Sequence, residues 1–71
     1  MTREQAIEIR AALADLISAI DSAERASAAR EALPPGSTRA RVTTANAKWS
    51  NAARYRSGME ARFRALVEAA P

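Results

Sequence analysis

Four side chains stand one heptad apart in the second half of the sequence: Arg41, Lys48, Tyr55 and Arg62. On a helix that spacing draws a line along one edge, because seven residues are close to two full turns. Thr44, Asn51 and Gly58 fall in the gaps. The ribbon therefore offers three cations, two hydrogen-bonding side chains and an aromatic hydroxyl, with no acid among them. Arg and Lys neutralise phosphates, Asn and Thr bond to backbone oxygens, and Tyr stacks or donates. Arg39 and Arg54 extend the positive field, so Arg39, Arg41, Lys48, Arg54, Tyr55 and Arg62 form the candidate face for an acidic partner or nucleic acid. The competing reading makes the same residues the flank of a coiled coil. There, long basic chains cover the seam and pair with acids of a neighbouring helix, here Glu8, Asp15 and Glu24.

Catalytic chemistry has little to stand on. The sequence has no histidine and no cysteine, which removes the commonest general base, the commonest neutral metal ligand and every thiolate. The carboxylate pairs Glu4/Glu8 and Asp21/Glu24 have helical spacing, yet carboxylate metal sites on helices usually recruit a histidine. Solvated helix faces account for them. Serines and threonines lack a base to activate them. "PPGSTR" has one glycine and no strand before it, so it does not read as a phosphate loop. The expectation is a protein that is not an enzyme, with no catalytic residues, no cofactor, no metal and no small-molecule substrate.

Two helices must position the ribbon. Thr2 with Gln5 three residues on is a capping box that opens the first. Ala6, Ile9, Leu13, Leu16, Ile20 and Ala23 then recur at spacings of three and four, with Ile7 and Ile17 widening the stripe. Beyond Ala23 the stripe holds only alanines, through Ala26, Ala28, Ala29 and Ala32, and Pro34-Pro35-Gly36 ends it. In the second helix Val42, Ala45, Trp49, Ala52, Arg56, Met59, Phe63, Leu66 and Ala70 keep the same alternation. The stripe stays in phase across Ser57-Gly58, so one continuous helix is expected, with Gly58 a weak spot or a place of close backbone approach. Its start is open to two readings: Ser37 or Thr38 as the cap gives a tight corner, whereas Thr43 or Thr44 leaves "STRAR" as a loop. The phase of Val42 favours the first.

The expected architecture is all-α: one antiparallel two-helix hairpin of coiled-coil character over residues 1–71. Helix one covers about 2–33, the corner about 34–37 (to 43 with the late cap), and helix two about 38–70. Ile9, Leu13, Leu16, Ile20, Val42, Trp49, Met59, Phe63 and Leu66 are the expected packing or interface residues. Antiparallel pairing would set Phe63 level with Ile9 and Met59 level with Leu13. It would also place Trp49 over Ala23 and Ala26, and Arg56 beside Asp15 as an ion pair.

Composition adds that the hairpin is not self-sufficient. Of the apolar residues 19 are alanine and only 15 are larger. A lone two-helix hairpin cannot bury enough of them to offset the entropy of ordering the chain. Completion by oligomerisation or by docking on a larger partner is therefore expected, most simply as a dimeric four-helix arrangement. Charge is uneven as well. Residues 1–33 hold four Arg against six Asp and Glu, net −2, whereas residues 34–71 hold six Arg and one Lys against two Glu, net +5. That asymmetry is either a nucleic-acid footprint or the mark of an alanine- and arginine-rich coding bias.

No apolar stretch is long enough for a bilayer: "AALADLISAI" is ten residues and contains Asp15. "MTREQ" is charged where a secretory signal would need an apolar run. The basic and apolar C-terminal pattern "RYRSGMEARFRALVEAA" suits an anionic membrane surface or packing against helix one, and its heptad match favours packing. No membrane partner and a cytoplasmic location, or one inside a particle assembled in the cytoplasm, are expected. Three functional classes follow. The leading one is a structural or adaptor protein that self-associates or docks on subunits of a larger assembly, with a phage particle or similar machine as the setting. The others are a small dimeric nucleic-acid-binding protein using the basic face, and a small inhibitor or regulator of a larger protein.

Overall fold

The computed structural model describes all residues, Met1–Pro71, and contains two helices and no strand: α1 (Arg3–Glu31) and α2 (Arg39–Ala69). They pack side by side along their length into a rod of 55 × 13 × 12 Å. Its radius of gyration is 16.3 Å, against about 11 Å for a compact globule of this length.

Each helix begins with the side-chain bond its sequence provides. The Gln5 N–H donates to Thr2 Oγ1 at 3.1 Å and the Thr2 N–H to Gln5 Oε1 at 2.8 Å, closing the capping box. Thr38 caps α2, accepting from the Arg41 N–H at 3.3 Å. The corner is a four-residue turn, Pro34 to Ser37. The Ser37 N–H donates to the Pro34 carbonyl at 3.2 Å, and the Ser37 hydroxyl to the same oxygen at 2.6 Å. Pro35 and Gly36 occupy the two central positions, and Gly36 has φ +82°. Proline followed by a left-handed glycine is the requirement of a type II turn. α1 stops at Glu31, short of the expected 33. The Ala32 N–H still reaches the Ala28 carbonyl, but Pro34 holds Leu33 away from helical angles.

The line of contact differs from the expected stripe in α1. Ala12, Ala19 and Ala23 are the only fully buried residues of the chain, and none is large. Ile9, Leu16 and Ile20 are half-buried beside them, whereas Ala6 is exposed and Leu13 is 41% exposed. The packed face is thus turned by about one residue from the expected one. Alanines sit where the helix backbones approach most closely, and larger side chains lie along the edges, where they have room. Ile17 joins the exposed edge, at 58% exposure, and Ile7 lies turned away from α2. In α2 the inner stripe of Ala45, Ala52, Arg56, Met59, Phe63, Leu66 and Ala70 is half-buried, with nothing fully buried. Val42 and Trp49, expected in the packed stripe, are 38% and 39% exposed. α2 runs unbroken through Ser57-Gly58, and a Cβ built on Gly58 would meet nothing within 4 Å. No close approach therefore requires that glycine.

Candidate functional site: two faces of one hairpin

Two flat helices side by side expose two broad faces, and the sequence makes them chemically unlike. Arg41, Thr44 and Lys48 line a groove with Ala26, Ala29, Leu33, Ala40 and Ala45 near the corner. Tyr55 and Arg62 continue the same heptad line. Further along it Arg62 reaches across to α1, where its Nη1 donates to Asp15 Oδ2 at 3.0 Å. This basic face carries Arg41, Lys48, Tyr55 and Arg62, with Ala26 and Ala29 of α1 beside the first two.

Arg62 is the one ribbon cation that finds an acid. The three ion pairs of the hairpin are Arg62–Asp15, Arg56–Glu60 at 2.9 Å and Arg25–Asp21. Arg41 and Lys48 are exposed and form none of them. Glu8 and Glu24, the other acids that a coiled-coil reading would supply, take no α2 cation. Arg39 and Arg54 are likewise exposed and unpaired, and at about 100° per residue Arg54 lies a quarter-turn off the line through Tyr55.

The expected Arg56–Asp15 pair does not form. Arg56 Nε donates to Glu60 Oε1 on its own helix and lines a groove with Ala23, Glu24 and Ser27. The register differs from the expected one: Asp15 takes Arg62, six residues and about 9 Å further along α2 than Arg56. Asp21, half of one carboxylate pair, is held by Arg25 one turn on.

The second face is apolar. Trp49, Ala53, Arg56, Glu60 and Val67 follow one another at helical spacing along α2, and Leu13, Ile17, Ile20 and Glu24 do so along α1. Two adjoining grooves run between these rows. One is lined by Leu16, Ile20, Phe63 and Val67 with Glu60, Arg64 and Glu68, and the other, more polar, by Ala23, Trp49 and Ala53 with Glu24, Ser27, Arg56, Ser57 and Glu60. Phe63 therefore lies with Leu16 and Ile20, nearer the corner than the expected Ile9. Trp49 lines one groove with Ala23, whereas Ala26, its other expected neighbour, lines the groove of the basic face. The Arg30 guanidinium covers the Trp49 ring, 4.6 Å from the centroid. A cation over an indole at an exposed site is worth about 0.5–1 kcal/mol.

The ribbon, the capping residues and the apolar character of both stripes were visible in residue spacing. Three things were not: the primacy of Ala12 and Ala19, the Arg30–Trp49 contact, and the partner of Asp15. Ala12 and Ala19 are one heptad apart and Ala23 lies four beyond, a small-residue row that signals close backbone approach. The other two depend on helix rotation and on the axial register of the hairpin, which periodicity alone does not fix. No helix is long and apolar enough to cross a membrane. The chain matches no protein-family model, and comparisons with curated proteins and with solved structures found no similar protein.

Proposed function

We propose that the chain is a non-enzymatic structural or adaptor protein whose hairpin works by associating, with copies of itself or with subunits of a larger assembly. One observation carries this reading. A rod with only three buried residues, all alanine, leaves Leu13, Ile17, Val42, Trp49 and Val67 more than a third exposed, besides Ile7 and Tyr55 elsewhere on its surface. Helix pairs gain most of their stability by burying apolar faces, so a face this apolar calls for a cover. A phage particle or comparable multi-subunit machine remains the proposed setting. The test is sedimentation of the purified chain over a range of concentrations. A mass above one chain, with helicity rising alongside it, supports self-association. A compact helical monomer throughout would remove that form of the reading.

A second reading is favoured by the unpaired cations Arg41 and Lys48: the basic face binds nucleic acid while the apolar face is covered. Binding to duplex DNA or RNA should then fall steeply with salt. Arg41→Ala or Lys48→Ala should each lower the slope of log K against log salt by about 1. Arg62→Ala should lower it less, because Asp15 already engages that guanidinium. Absence of binding at low salt would eliminate this reading.

A further inference from the structure

We infer that the occupant of the apolar face is a second copy of this chain, seated face to face so that four helices enclose Leu13, Ile17, Ile20, Phe63 and Val67, with both basic ribbons left outside. This rests on the self-association reading above and names its surface and its partner.

Area comes first. The chain exposes 5401 Å², whereas a folded monomer of 7.6 kDa exposes about 4,300 Å² by the scaling of surface with mass. The excess of about 1,100 Å² per chain exceeds the roughly 800 Å² that each partner contributes to a standard stable interface. One pairing of equal rods is enough to remove it.

Shape and charge select the face. Its protruding row of Leu13 and Ile17 lies beside a groove lined by Leu16, Ile20, Phe63 and Val67. A ridge next to a groove of similar chemistry can receive its own copy by a two-fold operation, each ridge entering the other's groove. The rim is of mixed sign, with Glu24, Glu60 and Glu68 against Arg56 and Arg64, so a copy meets opposite charges as readily as like ones. The basic face fails this condition. Two copies joined there would press together ribbons that each hold Arg41, Lys48 and Arg62, with Asp15 already spent on Arg62. Pairing through the apolar face also puts Trp49, with its Arg30 cover, at the edge of the enclosed layer rather than in water.

The chain has no cysteine, so single thiols can report each face separately. Ile17→Cys and Val67→Cys place a probe on the apolar face, one on each helix, and Asn51→Cys places one on the basic ribbon. Alkylation rates are measured at chain concentrations below and above the rise in sedimentation mass, with far-UV circular dichroism on the same samples. If only free chains react, labelling of Ile17→Cys and Val67→Cys should slow about tenfold once nine-tenths of the chains are paired, while Asn51→Cys changes little. If the mass rises but both apolar-face thiols react as fast as before, or Asn51→Cys becomes protected instead, the face is wrong and self-association stands. If the mass stays that of one chain, self-association and this inference fall together. Two apolar-face variants guard against one of them impairing assembly by itself.

Discussion

Asp15 and Arg62 are joined across the hairpin with about half of each side chain still in water. Pairs in that position are worth about 0.2–1 kcal/mol, because water screens the attraction and two long side chains lose freedom. A double-mutant cycle with Asp15→Asn and Arg62→Gln should therefore return a coupling of a few tenths of a kcal/mol, read from urea midpoints. Gly58 is the clearer stability lever. It sits mid-helix with open space where a Cβ would go. Gly58→Ala should stabilise by about 0.5–1 kcal/mol, the ordinary difference between the two residues inside a helix. A loss instead would reveal a partner backbone pressed against that spot in the assembled protein. Gly36 should respond the opposite way. Its φ of +82° suits glycine alone, and Gly36→Ala should cost about 1–2 kcal/mol in the same unfolding measurement.

At the scale of the helices, the contact is a close one made by small residues. Ala12 and Ala19 are each 1% exposed, wedged between α1 and α2. Enlarging either one must push the helices apart or force a poor rotamer. Ala19→Leu should cost about 1–3 kcal/mol although it adds apolar surface. Thermal unfolding at a fixed chain concentration checks this, since the stability of an associating protein depends on concentration. The helices themselves were legible from residue types. Thr2 with Gln5, Pro34 through Gly36, and Thr38 each supply a local bond or backbone angle that needs nothing from the rest of the chain. The rotation of each helix was not legible to the same degree. Leu13 and Ala12 are neighbours, and a stripe drawn through either one satisfies the three-four rule. Size pointed to Leu13, but the close approach of two backbones selected Ala12. The axial register was not legible either: Asp15 meets Arg62 rather than Arg56, six residues away.

For the whole molecule, amphipathicity belongs to the hairpin and not only to each helix. Both helices contribute to one apolar face and to one polar face, and α2 supplies nearly all the positive charge of the latter. Ile17 shows what the apolar face implies. In an isolated hairpin it is 58% exposed, and Ile17→Ala would change stability by no more than about 0.5 kcal/mol. Enclosed between two hairpins, the same change should cost about 2–4 kcal/mol, as a buried isoleucine does. Composition alone led to the expectation of a partner, because the larger apolar residues are few for a core between two helices. It did not tell which face such a partner would cover, since that follows from helix rotation. The central claim is that this rod completes itself by association. Sedimentation equilibrium over a wide range of chain concentrations, with far-UV circular dichroism on the same samples, tests it most directly. The predicted result is a mass climbing from 7.6 kDa toward twice that value, with helicity climbing in step. A fully helical species that keeps the mass of one chain at every concentration would contradict it.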